Sequence, residues 1–142
     1  MKQQLEDVRA FNRFYAVQLN VFDRYALGTS LTLTEGRIIG EIGRYDDCTA
    51  NDLCDLLHVD KSYLSRMLQK FEKNGLIQRV VDTADQRKKI IKLTEAGQRD
   101  FEKLEHLSND QAAHMLASLN DIQKKKLIDS MHYIQSVLEE KV

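Results

Sequence analysis

Apolar residues recur at helical spacing towards both ends of this chain and gather into two short strand-like runs between them. From about Leu5 to Ala26, Val8, Phe11, Tyr15 and Phe22 fall on one helical stripe, with Phe14 and Tyr25 beside it and Leu27-Gly28 as a stop. Thr32-Leu-Thr-Glu35 has capping-box spacing and predicts a second helix that buries Ile38, Ile39 and Ile42 before Tyr45. Thr49-Ala-Asn-Asp52 predicts a further start, leading through Leu53, Leu56 and Leu57 to a short turn at His58-Val59. Asp60 then caps a helix that runs to Asn74-Gly75. Strand-like runs at Ile77–Val81 and Lys89–Leu93 flank the polar stretch Asp82–Lys88. Thr94 caps a long helix to about Leu119, and Asn120-Asp-Ile-Gln123 restarts a last one, with Leu127, Met131, Ile134 and Leu138 at a/d-like spacing.

These elements predict a mainly α fold with a small two- or three-stranded β-wing, a winged helix-turn-helix flanked by N- and C-terminal dimerisation helices. The division expected is 1–30 for the first helix, 31–94 for the winged module and 95–142 for the last helices. The flanking helices carry wider apolar stripes than one winged module can cover. Phe11, Phe14, Tyr15 and Phe22, with Phe101, Leu104, Met131, Ile134 and Leu138, are therefore candidates for an intertwined homodimer interface.

Charge sharpens the picture. The chain has a formal net charge of −1, yet residues 61–92 hold nine basic residues against three acidic ones, a local +6 that leaves −7 for the rest. Such asymmetry steers a molecule towards a polyanion, although a charge run can also be a plain solvated face. On the helix 61–74, Leu64, Met67, Leu68 and Phe71 define an inward face. Ser62, Tyr63, Ser65, Arg66, Gln69 and Lys73 define the opposite one, with Lys70 at its edge. An α-helix fits the major groove of B-DNA, where Arg pairs with guanine and Gln with adenine. The hydroxyls of Ser62 and Ser65 lie near the positive end of the helix dipole, suited to phosphates. The following hairpin adds Arg87, Lys88 and Lys89. Helix and basic hairpin together point to double-stranded DNA as partner.

In order along the chain, Leu53-Cys-Asp-Leu-Leu-His-Val-Asp60, Ser65-Arg66, Phe71-Glu-Lys-Asn-Gly75-Leu-Ile-Gln-Arg79, and Asp85-Gln-Arg87 with Leu93-Thr94 resemble the MarR family of regulators. The resemblance implies a homodimer reading a pseudo-palindromic site, most often as a repressor. It likens Arg87 to a wing-tip arginine that enters the minor groove and Asp85 to the acid that supports it. Ser65 and Arg66 correspond to recognition-helix positions. It also implies release by a small aromatic or phenolic effector, bound between the dimer helices and the winged module near Phe11, Tyr15 and Gly36 of the second helix. That helix carries Gly36, Gly40 and Gly43 on one face, which predicts either a close helix crossing or a hollow.

Other chemistry is thin. Cys48 and Cys54 form no disulfide framework and fit a reducing cytoplasm. A cysteine redox-responsive regulator is an alternative, weighed against by the negative charge of Asp46-Asp47 beside Cys48 and the apolar surroundings of Cys54. The histidines His58, His106, His114 and His132 are scattered without metal-ligand spacing, so no metal, no cofactor and no catalysis are expected. Neither a signal peptide nor an apolar run of membrane-spanning length occurs, and no membrane partner is expected. A winged-helix scaffold for protein–protein contacts is a second alternative, which would not need the cations at the hairpin tip.

Overall fold

Reciprocal caps set where the middle helices begin. The computed structural model describes residues 1–21, 23 and 25–139; Phe22, expected on the first apolar stripe, lies outside them. Helix α1 covers Lys2–Gln18, α2 Leu33–Arg44, α3 Ala50–Leu57 and α4 Lys61–Lys73. Strands β1, Ile77–Val81, and β2, Lys89–Leu93, follow, and then α5, Glu95–Leu116, and α6, Asp121–Glu139. At α2 the Thr32 Oγ1 accepts the Glu35 N–H (3.2 Å), and Glu35 Oε1 accepts the Thr32 N–H (2.9 Å). Thr49 and Asp52 repeat this at α3, and Asn120 and Gln123 at α6, so each box satisfies two otherwise orphaned donors.

The first helix ends earlier than its stripe predicts, at Gln18 instead of near Ala26. The cause is local. Asn20 adopts a left-handed backbone (φ 56°), its N–H reaching Val17 O while the Val21 N–H reaches Ala16 O. These two bonds close a Schellman motif, which asparagine tolerates better than most residues. The chain then makes a 3-10 turn at Ala26–Gly28 before α2.

The strands pair antiparallel from Ile77↔Leu93 to Val81↔Lys89, with the bounds the two strand-like runs predict. A single bridge from Cys48 to Ile91 lies along the outer side of β2, where the Ile91 N–H donates to Cys48 O (2.8 Å). The wing is thus two strands plus one bridge, without a third strand among the described residues.

Two compact units divide within α5, at 1–107 and 108–142. The core of the first joins Ile38, Ile39 and Ile42 of α2, Leu53 of α3, Leu64, Leu68 and Phe71 of α4, and Ile77 and Ile91 of the wing. Leu56 of α3, by contrast, is 44% exposed. Of the α5 positions read from sequence as candidate dimer contacts, Leu104 is buried within the protomer and Phe101 half-buried. Leu104 lies against Gly36, and the Phe101 ring fills the place a side chain on Gly43 would take. At Gly36 and Gly43 the α2 glycine face is therefore a close approach of α5 and not a hollow, while the space at Gly40 is taken by the Arg44 side chain of α2 itself.

In the second unit, α6 has no buried residue. Likewise no residue of α1 is buried, and Phe11, Phe14, Ile134 and Leu138 are all exposed, Phe14 at 61% and Leu138 at 58%. Met131 is half-buried.

Candidate nucleic-acid interface

Helix α4 is fixed at both ends by its own sequence. Asp60 Oδ2 accepts the Tyr63 N–H (3.3 Å) at the start. At the finish, Gly75 (φ 73°) forms a second Schellman motif, with the Leu76 N–H on Phe71 O and the Gly75 N–H on Glu72 O. Burying Leu64, Leu68 and Phe71 turns the other face outward. Ser62, Arg66, Gln69 and Lys73 stand exposed on it, whereas Tyr63 and Ser65 are half-buried. The Arg66 guanidinium sits 5.8 Å from the centre of the Tyr63 ring, a cation–π distance that orients the arginine along the helix's first half. Asp60 already occupies one of the first-turn amides, so the helix start is less open to a phosphate than its dipole alone implies.

The wing is hung from the end of α4 by backbone contacts. The Thr94 N–H donates to Leu76 O (3.0 Å), its hydroxyl donates to Gly75 O, and its Oγ1 accepts the Gly97 N–H (3.1 Å). Thr94 therefore caps α5 and ties β2 to the α4 terminus at once. At the tip, Asp82 Oδ1 accepts the Ala84 N–H and Asp85 Oδ1 accepts the Arg87 N–H (3.1 Å), two Asx turns in succession. The same Asp85 oxygen lies 3.4 Å from Arg87 Nε, while the Arg87 side chain is 92% exposed. Asp85 thus shapes the loop and loosely directs the guanidinium. Lys88 and Lys89 beside it are exposed.

Ion pairs redistribute the charge that sequence counting assigns here. Lys70 Nζ binds Glu35 Oε2 (2.9 Å) and Lys92 Nζ binds Asp47 Oδ1 (3.2 Å). Neither acid lies in 61–92, so the local +6 falls to +4. Arg79 Nε lies 3.1 Å from Glu72 Oε1, an ion pair in which that N–H makes no hydrogen bond. Among the described residues, Arg66, Lys73, Lys88 and Lys89 form no ion pair. Lys70, placed by its helical position at the edge of the reading face, is thus engaged towards α2. Burial acts to raise the Glu35 carboxyl's pKa, but hydrogen bonds from Thr32 and Lys70 outweigh it and leave it below its ordinary value.

The residues singled out for an effector have other company. Phe11 and Tyr15 stack on each other along α1, centroids 5.5 Å apart and 11° from parallel. Over Gly36 lie the Ala26 methyl and Leu104, so the space expected there is filled. Cys48 is buried; burial first, then the charges of Asp52 and Glu41, push its thiol up to about 11. The acids that disfavour its thiolate are therefore not the adjacent Asp46-Asp47. No helix among the described residues is long and apolar enough to cross a membrane.

Sequence reasoning missed Glu35 as more than a capping residue. Its doubled use had one visible signal: a carboxylate at N3 uses one oxygen for the box and keeps the other. Which cation would take that oxygen could not be read from spacing, because Lys70 arrives from a different helix.

A model of the MarR family matches residues 29–88, from the approach to α2 through the wing tip. Over 86 residues the chain is 31% identical to the HTH-type transcriptional regulator BilQ of Clostridium symbiosum, covering 61% of this chain and 60% of that protein. The chain thus matches less than two thirds of that relative's length. Its fold resembles a MarR/EmrR family transcriptional regulator from Acinetobacter sp. ADP1, with a TM-score of 0.74, 21% identity and 99% of each chain covered. It also resembles MepR of Staphylococcus aureus in a MepR–DNA complex, with a TM-score of 0.73, 20% identity, and coverage of 92% of this chain and 96% of that one.

Proposed function

We propose that this chain is a transcription regulator of the MarR family that binds specific double-stranded DNA as a homodimer. The observation that carries this reading is the sorting of its cations. Lys92 and Arg79 are held by carboxylates, whereas Arg66, Lys73, Lys88 and Lys89 stand exposed on α4 and the wing with no acid partner among the described residues. Unpaired cations on a groove-sized helix and an adjoining hairpin suit a regular polyanion. The likeness of fold to MepR, solved with DNA, supports the same reading.

In this reading α4 lies in the major groove, with Arg66 and Gln69 directed at base edges and Ser62, Tyr63, Ser65 and Lys73 at bases or phosphates. Arg87 enters the minor groove, steadied by Asp85, while Lys88 and Lys89 neutralise flanking phosphates. The module 31–94 reads DNA, and the flanking segments 1–30 and 95–142 pair two copies. Pairing covers Phe11, Phe14, Met131, Ile134 and Leu138, apolar groups that a lone protomer leaves in water wholly or in part. A twofold dimer then presents its two helices to successive major grooves, about 34–36 Å apart. Bound across a promoter it acts as a repressor, and an aromatic ligand that prefers another dimer geometry releases it.

Selection of bound duplexes from random oligonucleotides tests the reading. The expected result is a pseudo-palindromic consensus whose affinity falls steeply with salt, in proportion to the phosphates neutralised. No enrichment, or a flat salt dependence, would favour a protein-binding scaffold instead.

A further inference from the structure

The Glu35–Lys70 pair sits at an unusual junction. Glu35 is the N3 residue of α2, buried, and its two carboxylate oxygens have different tasks. Oε1 accepts the Thr32 N–H and completes the capping box; Oε2 holds Lys70 Nζ at 2.9 Å. Lys70 lies in the last turn of α4, one position from Gln69 and three from Lys73 on the outward face. A lysine stem is long enough to swing from a helix edge towards either neighbour. Here the swing is decided by a buried carboxylate, which would lose its cation if Lys70 turned to a phosphate. Leaving a buried carboxylate without its partner is costly, so the lysine is held back.

We propose that Glu35 is a positioning residue for DNA reading: it withholds Lys70 from the phosphate backbone and fixes how α4 is set against the start of α2. The proposal rests on the DNA-binding function above. It implies that the reading face is less cationic than its sequence, and hence less prone to bind any duplex regardless of sequence. It also makes the α2 N-terminus, and the 26–31 turn leading into it, mechanically continuous with the recognition helix.

Salt dependence resolves this where affinity alone would not. The probes are the duplex selected by the wild-type protein and a mixed-sequence duplex, each titrated over a range of salt. Lys70→Gln is expected to leave the slope of log affinity against log salt unchanged on both. Glu35→Gln keeps a carbonyl oxygen for the Thr32 N–H but removes the charge that holds Lys70. It is expected to steepen the slope by about 0.9, the increment for one added phosphate contact, and to raise affinity for the mixed duplex several-fold. Adding Lys70→Gln to Glu35→Gln should abolish that increment, which a general loosening of the fold would not do. A slope reduced by about one contact in Lys70→Gln alone overturns the proposal, because Lys70 would then already reach the backbone. So does a Glu35→Gln slope equal to wild type. Failure of the wild-type protein to enrich any duplex overturns the DNA-binding reading itself, an outcome separate from both.

Discussion

Leu76 and Gly97 meet backbone to backbone where the hairpin leaves the recognition helix: the Leu76 carbonyl oxygen occupies the place of the side chain that Gly97 lacks. The same carbonyl accepts the Thr94 N–H, so the base of the wing, the end of α4 and the first turn of α5 converge there. Gly97→Ala should cost on the order of 1–3 kcal/mol, the usual range for overpacking, because a backbone oxygen cannot rotate aside. Urea unfolding at equilibrium checks this, and a midpoint equal to wild type would show that the junction yields.

Arg87 is a test of function separated from folding. Its side chain is almost wholly in water and its ion pair with Asp85 is long and exposed, so Arg87→Ala should leave the melting temperature nearly unchanged. Affinity for the selected duplex should fall at least tenfold, and the salt slope should drop by about 0.9. Asp85→Ala should add a modest loss of stability, because it also removes the turn bond to the Arg87 N–H. Unchanged affinity in a salt-matched titration of Arg87→Ala would remove the wing from the DNA-binding surface.

Cys48 should be inert. A buried thiol pushed up to about 11 holds almost no thiolate near neutral pH, and the thiolate is the species peroxide attacks. Duplex affinity measured before and after mild peroxide is expected to be the same, with no mass gain at Cys48 in the folded protein. Loss of binding on oxidation would revive the redox-responsive alternative.

The Glu35 carboxyl links stability to pH with a definite sign. Its folded value lies below the ordinary 4.5, so its contribution is present above that pH and is lost as pH falls through the folded value. Unfolding free energy followed from about pH 6 down to about pH 3 should therefore decline more steeply in wild type than in Glu35→Gln. Parallel curves would mean that the Thr32 and Lys70 bonds do not outlast burial.

Self-association is tested at the terminal helices. Phe14→Glu in α1 and Leu138→Glu in α6 replace exposed apolar groups and should leave the winged core, which lies elsewhere, intact. Sedimentation should report a dimer for wild type and a shift to monomer for each variant, with weakened binding to a palindromic duplex. A monomeric wild type would end the dimer reading.

The sequence by itself determined where most elements begin and how the middle is built, because those signals are local. Capping boxes at Thr32, Thr49 and Asn120 act within four residues, and two short β-branched runs flanking a polar stretch located both strands to the residue. The inward face of α4 followed from period alone, and with it the outward placement of Arg66, Gln69 and Lys73. Where α1 stops was also locally encoded, in Asn20, but an apolar stripe continuing past it masked the signal. Only tertiary structure decided which cations remain unpaired, since Glu35 meets Lys70 and Asp47 meets Lys92 across long separations that spacing cannot express. It also decided that Phe101 and Leu104 face α2, because the absence of side chains on Gly36 and Gly43 is felt only when a second helix arrives to fill the space.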